Sequence, residues 1–495
     1  MAGDTHDPDR QTISSKTITD IHYRPLMQPE YTLYARRWYI VLVVCVVSMA
    51  NALIWICFSP ITNLTTAYYG ISSMQVNWLS LIYLVACIPV GFLATWLLDT
   101  LGLRISIILS AWLNLIGCLL RSLTVFEFMP PDARYPVLMT GQLLAACAQP
   151  FIMFCPTKLA ALWFPDTQRA TANTLASMAN PLGILVANLL APKLVTVPSE
   201  MPNLLWTCTG VAGLGVVMAT FGVCSSIPPT PPTSSAAEAS EPFFSGLKKL
   251  LHVKSYWVLC FVFGAGLAIF TAFTTFTEQI LCPRGYTNGF SGMCGALMIG
   301  VGVAGAATAG VICDKTKRFE EVAKISFAGA TVFGIVFTEV SRLRDMDVEI
   351  AVSISLFGFF GFALYPICME LAVEVTYPVA EATSSGMLFI SGQVQGIVYM
   401  LVAQMIAQPL PHQEVGLPTG CSTNGSSIGD DFTPQDWTIP NLFLNGVAAF
   451  VSIVFMLLFH PHYRRMRAEE LAKPEDPDTR GQSEAMQVYV VSTQL

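Results

Sequence analysis

Two acidic side chains four residues apart, Glu370 and Glu374, stand at the end of a long apolar run. At helical spacing they share one face. Such a pair closes a gate if it meets a cation such as Lys158 or Arg169, and it is a solvated helix end if it meets none. Acids recur in comparable settings: Asp99 follows GFLATWLL and precedes Arg104, and Asp314 follows GVIC ahead of Lys315. Inside the apolar runs polar side chains are few, notably Asn51, Tyr83, Gln142, Gln149 and Gln395. Each needs a partner at membrane depth, either a neighbouring helix or a solute. Glu278 and Glu339 fall near run ends, and none of the histidines at 6, 22, 252, 412, 460 and 462 lies mid-run. A proton-driven carrier usually holds such a group at mid-depth. Transport down the solute's own gradient is therefore the simpler expectation. No Walker loop, zinc spacing, dinucleotide fingerprint or convergent nucleophile and base occurs, so an enzyme, a cofactor and a metal site are not expected.

The elements that must position these groups follow from composition. Of 495 residues, 53% are hydrophobic and 12% charged, with a mean hydropathy of +0.57. A soluble domain carries about 25% charge. This chain has too little polar surface for a water-soluble enzyme, and its net charge of −7 gives no nucleic-acid footprint. The lipid bilayer is the first partner. A hydrocarbon core takes about 20 apolar helical residues. Twelve such runs lie near 38–61, 76–98, 105–126, 136–157, 172–195, 204–226, 256–277, 290–312, 322–340, 348–377, 383–407 and 439–460.

With the N-terminus inside, twenty of the 26 basic residues fall on the cytoplasmic side, as positive loops require. Both termini are then cytoplasmic. Asn63-Leu-Thr65 and Asn424-Gly-Ser426 become outward N-glycosylation acceptors, with Asn424 the farther from the membrane. Residues 1–36 form a polar tail without a cleavable signal pattern, and 461–495 form a second tail. Most cysteines lie inside the runs. Cys282, Cys294 and Cys421 flank outer loops, where one disulfide among the three fits.

Residues 227–255, containing PPTPPTSSAAEASEP and the amphipathic FFSGLKKLL, read as a cytoplasmic linker between halves 37–226 and 256–460. The halves echo each other. Asp99 matches Asp314, Phe164-Pro165 matches Tyr377-Pro378, and Arg169-Ala-Thr-Ala matches Glu381-Ala-Thr-Ser, all at nearly one spacing. Two six-span halves of parallel topology resemble the major facilitator superfamily. Gly91, Asp99, Gly102 and Arg104 are similar to its loop motif between spans 2 and 3, with Gly310, Asp314 and Lys315 as the second copy. The resemblance implies an all-α membrane protein of twelve transmembrane helices in two pseudo-symmetric halves. It also implies a cytoplasmic latch that pairs Asp99 with Arg169 and Arg104 with Glu381.

A narrower resemblance covers most of 36–465. Arg36-Arg37-Trp38, Asn51-Ala52, Trp55, Phe58-Ser59, Asn77-Trp78-Leu79-Ser80, Tyr83, Trp96-Leu97-Leu98-Asp99, Glu370-Leu-Ala-Val-Glu374, Tyr377-Pro378 and Thr383-Ser-Ser-Gly386 resemble solute carrier family 49, the feline leukaemia virus subgroup C receptor-related transporters. What the family implies is transport of choline and ethanolamine, or of haem. An ammonium in a dry cavity needs ring faces to offset lost hydration. Trp55, beside Asn51, matches the family's cage tryptophan. Its second aromatic, a tyrosine in span 7, aligns with Thr271, with Phe270 adjacent, and its paired glutamines align with Pro181 and Gln393. Haem would need Tyr, Met or Cys ligands, since no histidine is available. A non-transporting receptor or scaffold on the same fold is the other alternative. Thr493-Gln-Leu495 has the form that adds to a PDZ groove, and Tyr23-Arg-Pro-Leu26 that of a sorting signal, with plasma and endolysosomal membranes both open.

Overall fold

The computed structural model describes residues 32–230, 243–376, 379, 381–410, 435–461, 463 and 464. Among them twelve helices are long and apolar enough to cross a membrane. They are span 1 (Arg36–Tyr69), span 2 (Ser73–Leu98), span 3 (Leu103–Leu123), span 4 (Pro131–Trp163), span 5 (Thr171–Leu194) and span 6 (Pro198–Gly222) in the first half. Span 7 (Lys254–Arg284), span 8 (Asn288–Cys313), span 9 (Phe319–Val340), span 10 (Asp347–Thr376), span 11 (Thr383–Ile406) and span 12 (Thr438–Leu458) form the second.

Span 1 runs farther than its apolar run suggests because it is a broken helix. Arg36–Ile56 ends at Cys57, a single 3-10 turn covers Ser59–Ile61, and a second helix covers Thr62–Tyr69. Pro60 has no N–H for the carbonyl one turn back, so the helix reopens there. Gly70 closes the second piece in the left-handed conformation, at φ 65°. Span 2 then starts with a reciprocal cap: Ser72 Oγ accepts from Gln75 N at 3.3 Å, and Gln75 Oε1 accepts from Ser72 N at 2.9 Å. Span 4 breaks as well, at Phe154, between Pro131–Met153 and Cys155–Trp163.

Apolar side chains do not drive helices together in lipid, so close packing and polar contacts must. The glycines of span 8 serve two faces. Side chains at Gly292 or Gly295 would collide with Asn188 of span 5, in the other half, whereas side chains at Gly302 or Gly305 would collide with span 10 at Phe362 and Phe359. The halves therefore meet where spans 5 and 8 cross, and again where span 2 meets span 11, with Leu84 against Gly396 and Ile390 against Gly91. The linker includes a short helix, Phe243–Leu250, with Leu250 buried and Gly246 facing Val379 and Thr383 at the start of span 11. A two-residue antiparallel pair, Gln408–Pro409 with Gln435–Asp436, joins the chain between spans 11 and 12.

Candidate substrate cavity and gate

Spans from both halves enclose a cavity of about 1360 Å³, open solvent at its mouth included. Eight aromatic rings line it, among them Trp55, Phe263, Phe270, Phe362, Tyr365 and Phe389. Phe270 meets Phe362 edge to face at 4.8 Å, and Phe263, Tyr365 and Phe389 form a second cluster with centroids 5.7–6.2 Å apart. Three amides, Gln149, Asn180 and Gln393, share the wall. No Asp, Glu, Lys, Arg or His lines it among the described residues. The chemistry offered is ring faces and amide dipoles without a counter-ion.

Trp55 is 6% exposed, and its Nε1 donates to the Ser80 carbonyl at 3.1 Å. That bond fixes the indole against span 2 and leaves the ring as cavity wall, with Tyr83 6.3 Å behind it. Gln142 braces the same turn, its Nε2 donating to the carbonyls of Ile54, Trp55 and Leu79. Phe270, Thr271 and Gln393 join Trp55 in the lining, and the Thr271 hydroxyl donates to Leu267 O at 2.8 Å on its own helix. Asn51 does not line the cavity. Its Nδ2 donates to Asn114 Oδ1 at 2.8 Å and Ala145 O at 2.9 Å, so it bonds span 1 to spans 3 and 4. Gln395 likewise joins spans 11 and 7 through Phe261 O. Sequence reasoning missed Asn180 and the Phe263, Tyr365 and Phe389 cluster; the signal available was Asn-Pro inside a long apolar run.

Beyond Trp55 the bend of span 1 closes one end of the bundle. Ser59 Oγ donates to the carbonyls of Thr274 and Thr275 on span 7. Asn63 Oδ1 accepts from Asn288 Nδ2 at 2.8 Å, and Asn63 N donates to Glu278 Oε1 at 3.4 Å. Asn77 and Gln279 exchange amide hydrogen bonds at 3.2 and 2.5 Å. Every one of these crosses from one half to the other, and together they form a polar seam. The remaining lining runs the opposite way, through Met153, Pro156, Phe327 and Cys368.

Of the two glycosylation acceptors, Asn63 is 8% exposed with its amide bonded between the halves, and Asn424 lies outside the described residues. Of the outer cysteines, Cys282 is disulfide-bonded and Cys294 is a buried free thiol, while Cys421 lies outside the described residues. Arg121 is 1% exposed within span 3. Its guanidinium donates to Cys57 Sγ at 3.0 Å and Ile54 O at 3.4 Å and lies 4.8 Å from the Phe58 ring centre, bracing the bend of span 1.

At the opposite end, Asp99, Arg169 and Asp314 lie within helices Ser73–Thr100, Asp166–Leu194 and Asn288–Thr316, and Glu381 begins Glu381–Ile406; their side chains lie outside those described. Arg104 is exposed, with its backbone N–H donating to Ser226 Oγ at 3.1 Å. Gly102 before it takes φ 84°. Glu370 is exposed and Glu374 buried, so the shared helix face divides between solvent and protein. Lys158 Nζ donates to Leu98 O at 2.7 Å, tying span 4 to span 2. The terminal Thr493-Gln-Leu495 and Tyr23-Arg-Pro-Leu26 lie outside the described residues.

Twelve spans in two halves around one central cavity, closed at one end by a seam between the halves, define an alternating-access membrane carrier. The Major Facilitator Superfamily model matches residues 44–400. Solute carrier family 49 member A3 of Xenopus tropicalis is 44% identical over 444 residues, covering 89% of this chain and 90% of that protein. A protein of Danio rerio named as a choline/ethanolamine transporter is 31% identical over 390 residues, covering 75% and 80%. Among solved structures, the inward-open xylose transporter of E. coli superposes with a TM-score of 0.62 at 12% identity, covering 87% and 98%. The chain belongs to the major facilitator superfamily and, within it, to solute carrier family 49. It is a multi-pass membrane transporter.

Proposed function

We propose that this transporter moves a small organic ammonium of the choline or ethanolamine class by facilitated alternating access. The observation that carries the reading is the cavity wall, eight rings and three amides with no charged side chain among the described residues. A cation leaving water for such a cavity loses hydration, and ring quadrupoles offset part of that cost, about 2 kcal/mol or more per desolvated contact. Trp55 is the principal face, with Phe270 and Phe362 beside it and Gln393 offering an amide. The likeness to the choline/ethanolamine transporters supports the same class.

The positive-inside count makes the seam the outer gate and the opposite end cytoplasmic, so the conformation is closed outside. Glu278 sits in the seam and not in the cavity wall, which leaves no acid or histidine among the described residues beside the solute to carry a coupled proton. Glu370 and Glu374, with Asp99, Arg104, Arg169, Asp314 and Glu381, act at the cytoplasmic end as the inner latch. Haem fits less well. Met153, Tyr365 and Cys368 offer ligand types for iron, yet two propionates would enter a wall without Lys or Arg.

Uptake of labelled choline and ethanolamine by cells expressing the chain tests the proposal. Saturable uptake that follows the substrate gradient and membrane potential, indifferent to an imposed proton gradient, is the expected result. No uptake above control with surface expression established refutes it.

A further inference from the structure

The rings of the cavity wall fall into two groups, and holding an ammonium at Trp55 uses only the first. Trp55, Phe270 and Phe362 belong to one apolar cluster, whereas Phe263, Phe389 and Tyr365 belong to another, and all six line the same cavity. The second group is displaced along the bundle. On span 7 Phe263 precedes Phe270 by two helical turns, about 10 Å along the axis, in the direction away from the seam residues Thr274, Thr275 and Gln279. On span 10 Tyr365 lies one turn beyond Phe362, toward Glu374, and on span 11 Phe389 lies one turn before Gln393, toward Glu381. All three steps lead the same way. Phe154 of span 4 stands 6.5 Å from Phe389, so rings of both halves meet at this level.

The cavity is long for a solute as short as choline. The stretch of span 10 that lines it, Phe357 to Cys368, rises about 16 Å, whereas the two-carbon arm of choline is shorter than one helical turn of about 5.4 Å. An ammonium against Trp55 therefore leaves the second group of rings uncovered. Apolar surface gains when an apolar group takes the place of water on it, and ring faces favour another ring or a chain of methylenes. We propose that Phe263, Tyr365 and Phe389 form an arm subsite, so that the solute bound most tightly is an ammonium carrying an apolar alkyl or aryl arm rather than choline itself. An arm of about four to six carbons covers the step of one turn or a little more between the two groups. The subsite rests on the function proposed above, in which Trp55 and its neighbours hold the ammonium. Phe263 and Phe389 are thus specificity residues: they rank ammonium solutes by the arm they carry, whereas Trp55 decides whether any cation is held.

The test is calorimetric binding of ethyltrimethylammonium and n-butyltrimethylammonium to the purified full chain. The wild type is expected to bind the butyl cation about tenfold more tightly, since each of its two added methylenes contributes about threefold to fourfold. Phe263→Ala and Phe389→Ala are each expected to reduce that ratio to about threefold or less. A trimethylammonium whose alkyl arm ends in a photoreactive diazirine supplies the answer if neither variant folds. Crosslinked to the wild type, it is expected to label the segments of spans 7, 10 and 11 that carry Phe263, Tyr365 and Phe389. Equal binding of the ethyl and butyl cations by the wild type overturns the arm subsite and leaves the ammonium reading standing. An unchanged ratio in both variants overturns it too, as does labelling confined to the seam. Binding of neither cation removes the ammonium reading and the subsite with it.

Discussion

The seam and the cavity are built from the same side-chain types and use them in opposite ways. At the seam Asn63, Asn77, Gln279 and Asn288 all bond across the halves. In the cavity Asn180 keeps a buried amide nitrogen without a partner, and Gln393 makes no hydrogen bond among the described residues. An amide bonded across the halves holds two bodies together, and one on the cavity wall is open to a third. The difference separates the part of the molecule that changes state from the part that meets the solute.

The largest expected effect breaks the cavity side. Trp55→Ala should lower choline uptake by about tenfold or more at equal surface expression, and Trp55→Phe by less, because phenylalanine keeps a weaker ring face. Equal loss in both variants would indicate a packing role. On the seam side, Asn77→Ala and Gln279→Ala each remove a reciprocal amide pair whose two hydrogen bonds contribute about 1–3 kcal/mol. A double-mutant cycle, read as the rate at which a cysteine placed at the seam is labelled from outside, should show strong coupling between them. Additive effects would mean that the pair does not hold the gate.

Smaller effects sharpen the contrast. Asn51→Ala should lower the thermal unfolding midpoint, through loss of about 1–3 kcal/mol of buried hydrogen bonding, with choline affinity changed by about twofold or less. Gln393→Ala should do the reverse: affinity weakened by about threefold to tenfold with the midpoint nearly unchanged. Smallest of all, Asn63→Gln should leave electrophoretic mobility unaltered before and after glycosidase treatment. A shift would contradict the buried placement of Asn63.

Apolar run length alone makes the twelve spans legible in the sequence, because a bilayer imposes one length on every helix that crosses it. The helix ends are harder to read. Span 1 looks finished at 61, since Ser59-Pro60 has the form of a terminator, yet the chain resumes as a helix and carries the seam on Thr62–Tyr69. Within the cavity Trp55 is singled out by the resemblance to solute carrier family 49, since a lone tryptophan in an apolar run is more often packing. Asn51, one turn away, looks equivalent in sequence; only the approach of Asn114 and Ala145 shows that its Nδ2 is already bonded to spans 3 and 4. Asn180 beside Pro181 carries no sequence signal of its own beyond an Asn-Pro pair in an apolar run, and its place on the cavity wall shows only in the fold. Partner state depends on tertiary neighbours, which the order of residues along a chain does not contain.

The most direct measurement compares binding of choline with that of 3,3-dimethyl-1-butanol, its neutral carbon isostere, to the purified wild type and to Trp55→Ala. Shape and hydroxyl are the same in the two ligands, so only the charge is read. Expected is a preference for choline of about tenfold or more in the wild type that shrinks markedly in Trp55→Ala. Equal binding of the cation and its neutral isostere by the wild type would contradict an aromatic, uncharged wall selecting an ammonium.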